Sequence, residues 1–347
     1  MAYTTIDNSE LHFQCELYTG DGGSSKAITL DGSENMKPDL VWIKNRSGTD
    51  IHALYDSTRG VNKNLRAEDS AVEGSQSDGL LSFDTDGFTV GAAGSVNTNS
   101  NNFVSWNWKA NNGTTSSNSD GSITSTVQAN TTAGFSIVSY TGTGSAATIG
   151  HGLSSAPSMI IVKNRSTAYS WIVYHKSIGA TKNTYLDLNN AADTASIQFN
   201  DTEPTSSVFS VGTSLSTNKS GDNLIAYCFE EVKGYSRMGS WTGNGNADGT
   251  FTYTGFRPAF LLYKNTSEAD EWFLHDNRRI GYNDENEYLF ASITQAEGTQ
   301  NRIRFTANGF KALNSDKGVN KSGNVYVYLA IAEYPLVNSK GIPGNAI

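Results

Sequence analysis

Apolar residues fall along this chain in short runs of five to eight, bounded by Gly, Asn, Asp and Pro, and no long stretch keeps a helical period. Runs of that length between turn residues predict β-strands. PSMIIVKN, from Pro157, is nearly continuous in its apolar residues and predicts a strand buried in a sheet. In NVYVYLAIAE, Tyr326, Tyr328 and Ala330 alternate with Val325, Val327 and Leu329, so both sets are largely apolar. Successive strand residues point to opposite faces, so this strand is expected to pack on both.

The same order of runs occurs three times. An aromatic-Thr-Gly turn begins each copy, at Tyr18-Thr19-Gly20, Tyr140-Thr141-Gly142 and Trp241-Thr242-Gly243. A proline then opens a strand that ends in Lys-Asn seven residues on: PDLVWIKN from Pro38, PSMIIVKN from Pro157 and PAFLLYKN from Pro258. Seven residues after that Asn stands a flat ring, His52, Trp171 or Trp272. Phe88, Phe209 and Phe310 follow turns, and NFVSWNWK, NLIAYCFEEV and NVYVYLAIAE close the copies. The prolines are 119 and then 101 residues apart, because a Ser/Thr/Asn/Gly-rich spacer occupies 109–134. Such composition predicts a linker. The pattern predicts an all-β chain of three tandem β-sandwich modules, jelly-roll-like or concanavalin-like. The boundaries are an N-terminal arm (1–12), module 1 (13–109), a linker (110–120), module 2 (121–233), module 3 (234–335) and a tail (336–347). Each module is long enough to own a core, so 1–110 and 121–347 are each expected to fold alone.

This order of motifs resembles repeat proteins of marine bacteriophages, those that infect cyanobacteria and other abundant marine bacteria. The stretches GSITSTVQANTTAGFSIVSYTGTG and AYCFEEVKGY resemble them most, and the likeness covers roughly 13–335. The resemblance implies a virion protein of unknown function, in a tail fibre, appendage or head decoration. It brings no catalytic residues with it.

Composition narrows the partners. The formal charge is −9 over 347 residues, and no Lys/Arg cluster offers the basic footprint of a nucleic-acid or anionic-membrane binder. No apolar run reaches the length of a membrane span, and MAYTTIDNSELHFQ lacks the basic and apolar regions of a signal peptide. Cys15 and Cys228 lie in different copies, which predicts two free thiols in a chain made in a host cytoplasm.

The search for chemistry returns little. Nucleophile-elbow, zinc-protease and phosphate-loop motifs are missing from the sequence. Glu230-Glu231 would point to opposite faces of a strand, and Asp84-Thr85-Asp86-Gly87 reads as a turn, so neither predicts a glycosidase pair. Asn244-Gly245-Asn246-Ala247-Asp248-Gly249 alternates oxygen side chains like a calcium loop, but Gly255 stands where the bidentate Glu belongs. Most tryptophans sit within strands. Trp241, at a turn, is the candidate contact for a glycan or a protein partner, together with Asn244, Asn246 and Asp248. Neither cofactor, metal nor catalytic residues are expected.

The leading expectation is therefore a non-enzymatic virion structural protein serving adhesion and assembly, on the outer surface or tail. Other virion proteins would be its partners, with homo-oligomerisation and a host surface glycan as further contacts. The alternative is a carbohydrate-binding receptor-recognition protein; a glycan-degrading enzyme ranks below both.

Overall fold

The computed structural model describes residues 3–279 and 285–343. Its fold is almost entirely β; four one-turn helical pieces, such as Gly94–Asn97 and Leu215–Asn218, sit between strands. One four-stranded antiparallel order recurs in each repeat. In the first, Phe13–Thr19, Asn102–Trp108, Leu40–Asn45 and Ala53–Asp56 lie side by side in that order. The second places Phe135–Thr141, Asn223–Phe229, Met159–Asn164 and Ile172–His175 in the same way. In the third the strands are Ser236–Thr242, Val325–Pro335, Phe256–Asn265 and Trp272–Asp276. The closing run of each repeat thus lies between its opening strand and its Lys-Asn strand, which is why it is apolar on both faces.

Over one face of each sheet lies a second layer carrying the repeated Phe. Lys26–Ile28 pairs with Gly87–Val90, Ala147–Gly150 with Val208–Val211, and Phe251–Tyr253 with Gly309–Ala312. Phe88, Phe209 and Phe310 are buried there, each in a cluster private to its repeat. The opposite faces of the three sheets meet one another. Trp42, Trp106 and Trp108 from the first repeat, Ile161, Trp171 and Phe229 from the second, and Phe260, Leu262 and Leu329 from the third belong to one continuous core. At its centre remains a cavity of about 20 Å³ lined by all three repeats. The repeats form a closed ring around it.

This arrangement departs from three expectations. Autonomy of 1–110 and 121–347 conflicts with the shared core, since separation would bare Trp106, Trp108 and Phe229, all 5% exposed or less. Residues 109–134 do not form a free linker. Ser116–Asn118 and Ser125–Asn130 are strands, and the latter pairs along the edge of Phe135–Thr141. Polar composition suggested a loop, yet Val127 packs inward and Gln128 is fully buried, with its carbonyl accepting from Asn111 and Gly113 N–H. The N-terminal segment is no projecting arm. Ile6 is buried in the shared core, and the Tyr3 hydroxyl donates to Gly255 O at 2.8 Å. Tail residue Ser339 donates its N–H to Asp7, tying the two terminal segments together.

A shared core makes unfolding cooperative. Leu329→Ala removes three buried side-chain carbons from the ring centre and should cost about 2–5 kcal/mol. Calorimetry is expected to show one transition, moved down as a whole by this substitution; a second, unmoved transition would contradict the ring.

Candidate functional site

The Lys-Asn strand ends explain the ring. Lys44, Lys163 and Lys264 have no solvent exposure. A buried ammonium needs acceptors for its protons. Each donates to carbonyls of its own repeat: Asn45, Gly48 and Asp50 for Lys44, Asn164 and Tyr169 for Lys163, and Asp270 for Lys264. Each also reaches a carbonyl of the neighbouring repeat. Lys44 bonds Thr294 O at 3.1 Å, Lys163 bonds Ser70 O at 3.2 Å and Lys264 bonds Asn189 O at 2.9 Å. The flat rings make the same crossing. Trp171 Nε1 donates to Arg66 O and Trp272 Nε1 to Tyr185 O, both at 2.7 Å. In the first repeat His52 Nδ1 accepts from Trp42 Nε1 at 2.9 Å, which leaves Nε2–H to donate to Ile293 O at 3.3 Å. Three backbone bonds complete the pattern: Glu73 N to Arg165 O, Ala192 N to Thr266 O and Glu297 N to Arg46 O.

Ion pairs distinguish the junctions. Between repeats one and two, Asp56 is bound by Arg59 and by the Tyr227 hydroxyl, while Glu73 lies between Arg59 and Arg165. Between repeats three and one, Asp276 is bound by Arg279 and Trp106 Nε1, and Glu297 lies between Arg279 and Arg46. Among the described residues, the junction of repeats two and three has no such network. There His175, Ile178, Ala192 and Thr266 hold the corresponding places, and His175 Nε2 donates to Tyr328 O at 3.0 Å. Burial pulls His52 down to about 3 and His175 to about 4. Both rings are therefore neutral structural donors.

The predicted contact site is part of the scaffold. Trp241 is buried, stacks on Tyr326 at 4.9 Å and donates its Nε1–H to Val319 O. It does what the hydroxyls of Tyr18 and Tyr140 do, which donate to Val96 O and Thr217 O. The next residue in each case is a fully buried Asn, at 97, 218 and 320, that latches the loop after the aromatic-Thr-Gly turn. Asn320 accepts from Asn244 N and donates to Asn244 Oδ1 and Asn246 O. Asn244 oxygen is thus engaged within the loop. Asn244 and Asn246 remain surface residues, and Asp248 is exposed and paired with Lys311. Trp241 and the three loop residues do not make one common surface. Among the described residues, no three His, Cys, Asp or Glu side chains converge as metal ligands, and no helix is long and apolar enough to cross a membrane. Both cysteines are buried and free.

The surface feature that sequence reasoning missed lies a few residues further on. Phe251 and Tyr253 are 46% and 45% exposed. They border a groove of about 580 Å³ whose other wall is the strand from Arg237 to Thr242, with Lys176 and Glu231 also lining it. Arg237 lies 5.8 Å from the centre of the Tyr253 ring, and Lys233 lies 4.6 Å from that of Tyr3. One signal was available. The corresponding triplets are Ala27-Ile28-Thr29 and Thr148-Ile149-Gly150, so Phe251-Thr252-Tyr253 reverses which positions are apolar.

A single family match runs from residue 8 to residue 335, across all three repeats. The chain belongs to the family described as "Domain of unknown function (DUF7483)". Nothing among curated proteins matches it. In this DUF7483 member the matched span coincides with the closed ring rather than with one repeat.

Two substitutions test the junctions. Glu297→Ala strands Arg46 and Arg279 without their shared carboxylate and should cost about 3–5 kcal/mol in chemical denaturation. Trp42 and His52 fill the space held by Ile161 and Trp171 in the second repeat. His52→Trp alone should therefore overpack the core by about 1–3 kcal/mol, and Trp42→Ile added to it should recover much of that loss. The His52 pKa is depressed in the folded chain, so its contribution is present above about pH 6.5 and drains away as pH falls toward 3. Melting temperatures between pH 7 and 4 should accordingly fall less in the double variant than in the parent.

Proposed function

We propose that this chain is a non-enzymatic structural protein of a virion, made of three β-sandwich modules of jelly-roll or concanavalin-like build. The observation that carries the reading is how its ionisable groups are used. Lys44, Lys163, Lys264, Asp56, Asp276, Arg59 and Arg279 are all buried where one repeat meets the next. They hold the ring together, and a rigid, closed body presenting loops and strand edges suits assembly and adhesion. The resemblance to marine phage repeat proteins adds the particle, and with it a place on the outer surface or tail, among other virion proteins and further copies of itself. Quantitative mass spectrometry of purified particles should find several copies per virion. Absence of the chain from clean particles would remove the virion assignment.

Recognition of a host glycan is the second reading. Phe251, Tyr253 and Tyr3 now support it in place of Trp241, since half-exposed rings stack on the apolar faces of sugars. Binding on a glycan array that is lost in Tyr253→Ala would support this reading; a blank array would count against it.

A further inference from the structure

The third repeat has an open seam that the second repeat fills with its own chain. In the second repeat the seam lies between the edges of Phe135–Thr141 and Ala147–Gly150. Ser125–Asn130 pairs antiparallel with the first, from Thr126↔Ser139 to Asn130↔Phe135. Ile123 bridges Ile149 in parallel on the other side, with its N–H on Thr148 O at 3.0 Å. The Ser125 hydroxyl donates to Gly150 O. Residues 121–130 therefore zip the two layers together.

The equivalent edges in the third repeat are Ser236–Thr242 and Phe251–Tyr253, the two ends of its eight-stranded sheet. Only Lys233-Gly234-Tyr235 separates this repeat from the second, so no filler precedes it. The groove described above occupies the seam. Its backbone faces are known from the bonds made on the other side. Gly243 N donates to Asn324 O and Ala332 N to Tyr235 O, which turns the N–H groups of Met238 and Ser240 into the groove. Ala312 N donates to Thr250 O, which turns the backbone of Phe251 and Tyr253 outward. The Glu231 carboxylate caps Met238 N–H at 2.9 Å. Ser240, Phe251 and Tyr253 N–H groups have no partner among the described residues. Strand edges that keep open N–H groups beside exposed aromatics are a template for another strand.

We infer that this seam is a docking site for an extended segment of another polypeptide chain, which adds to the sheet as residues 121–130 do in the second repeat. The segment would be Ser/Thr-rich with β-branched residues at its centre, as GSITSTV is. The positions opposite Ser236 and Arg237 call for a carboxylate, because Arg237 and Lys233 form no ion pair among the described residues and each lies over a tyrosine ring. In the second repeat Ala129 faces Ser136, the counterpart of Arg237. This inference does not rest on the virion reading and survives its failure.

The probe is a synthetic peptide of residues 119–131 carrying Ala129→Glu, added to the full chain and followed by amide hydrogen exchange. Exchange at Ser240, Phe251 and Tyr253 is expected to slow by about tenfold or more at saturation. Ser240→Pro removes one groove-facing N–H at an edge position where proline is tolerated. It should leave the melting transition in place and weaken peptide binding by about tenfold or more. Three results would overturn the proposal: no protection at millimolar peptide, protection unchanged in Ser240→Pro, or protection by host oligosaccharides but not by peptide. The last would assign the groove to sugar.

Discussion

A lysine ammonium placed out of water at the end of each Lys-Asn strand is the constraint around which this molecule is arranged. Three donors must find oxygen; the local turn supplies three carbonyls to Lys44, two to Lys163 and one to Lys264. A further acceptor belongs to the neighbouring repeat in every case, through Thr294, Ser70 and Asn189. A repeat by itself would strip each ammonium of its cross-boundary acceptor and leave an entire apolar sheet face in water. Both defects vanish only when the third repeat returns to the first. The ring is thus the smallest assembly in which each repeat is satisfied.

Within that frame the junctions are free to differ. Two use an Arg–Glu–Arg chain with an aspartate bonded across the boundary to Tyr227 or Trp106. The third replaces the chain with Ile178, Ala192 and Thr266 and sets Leu329 where the others have Tyr227 and Trp106. Buried ionic networks and well-packed apolar substitutes are often near-equal in stability. Such near-equality lets one threefold scaffold carry both. The His52–Trp42 pair opposite Trp171–Ile161 is the same kind of exchange, conserving volume while moving the bulk from one strand to its neighbour.

Departures from threefold symmetry also occur at the surface, where function has room to act. The second repeat spends residues 109–134 closing its seam; the third keeps the seam open and lines it with Phe251 and Tyr253. Since the scaffold is held from within, an open edge can be kept without loosening the core.

Sequence alone determined the strands, the threefold repeat and the burial of the landmark residues. Period-two alternation, turn residues and fixed spacing are local properties, and Ile160, Leu261, Phe88, Phe209 and Phe310 are buried as that pattern requires. The apolar second face of NVYVYLAIAE was also legible. What covers that face was not, because a strand pattern records that a side is buried and not which neighbour buries it. For the same reason Trp241 read as a turn residue free to bind, although its indole N–H is committed to Val319, and 109–134 read as a linker, although its polar groups bond to strand edges. Only the tertiary structure decided that the repeats close into one ring, and which edge remains open. Both depend on contacts between residues far apart in the chain, whose pairing is fixed by shape and hydrogen-bond supply rather than by sequence spacing.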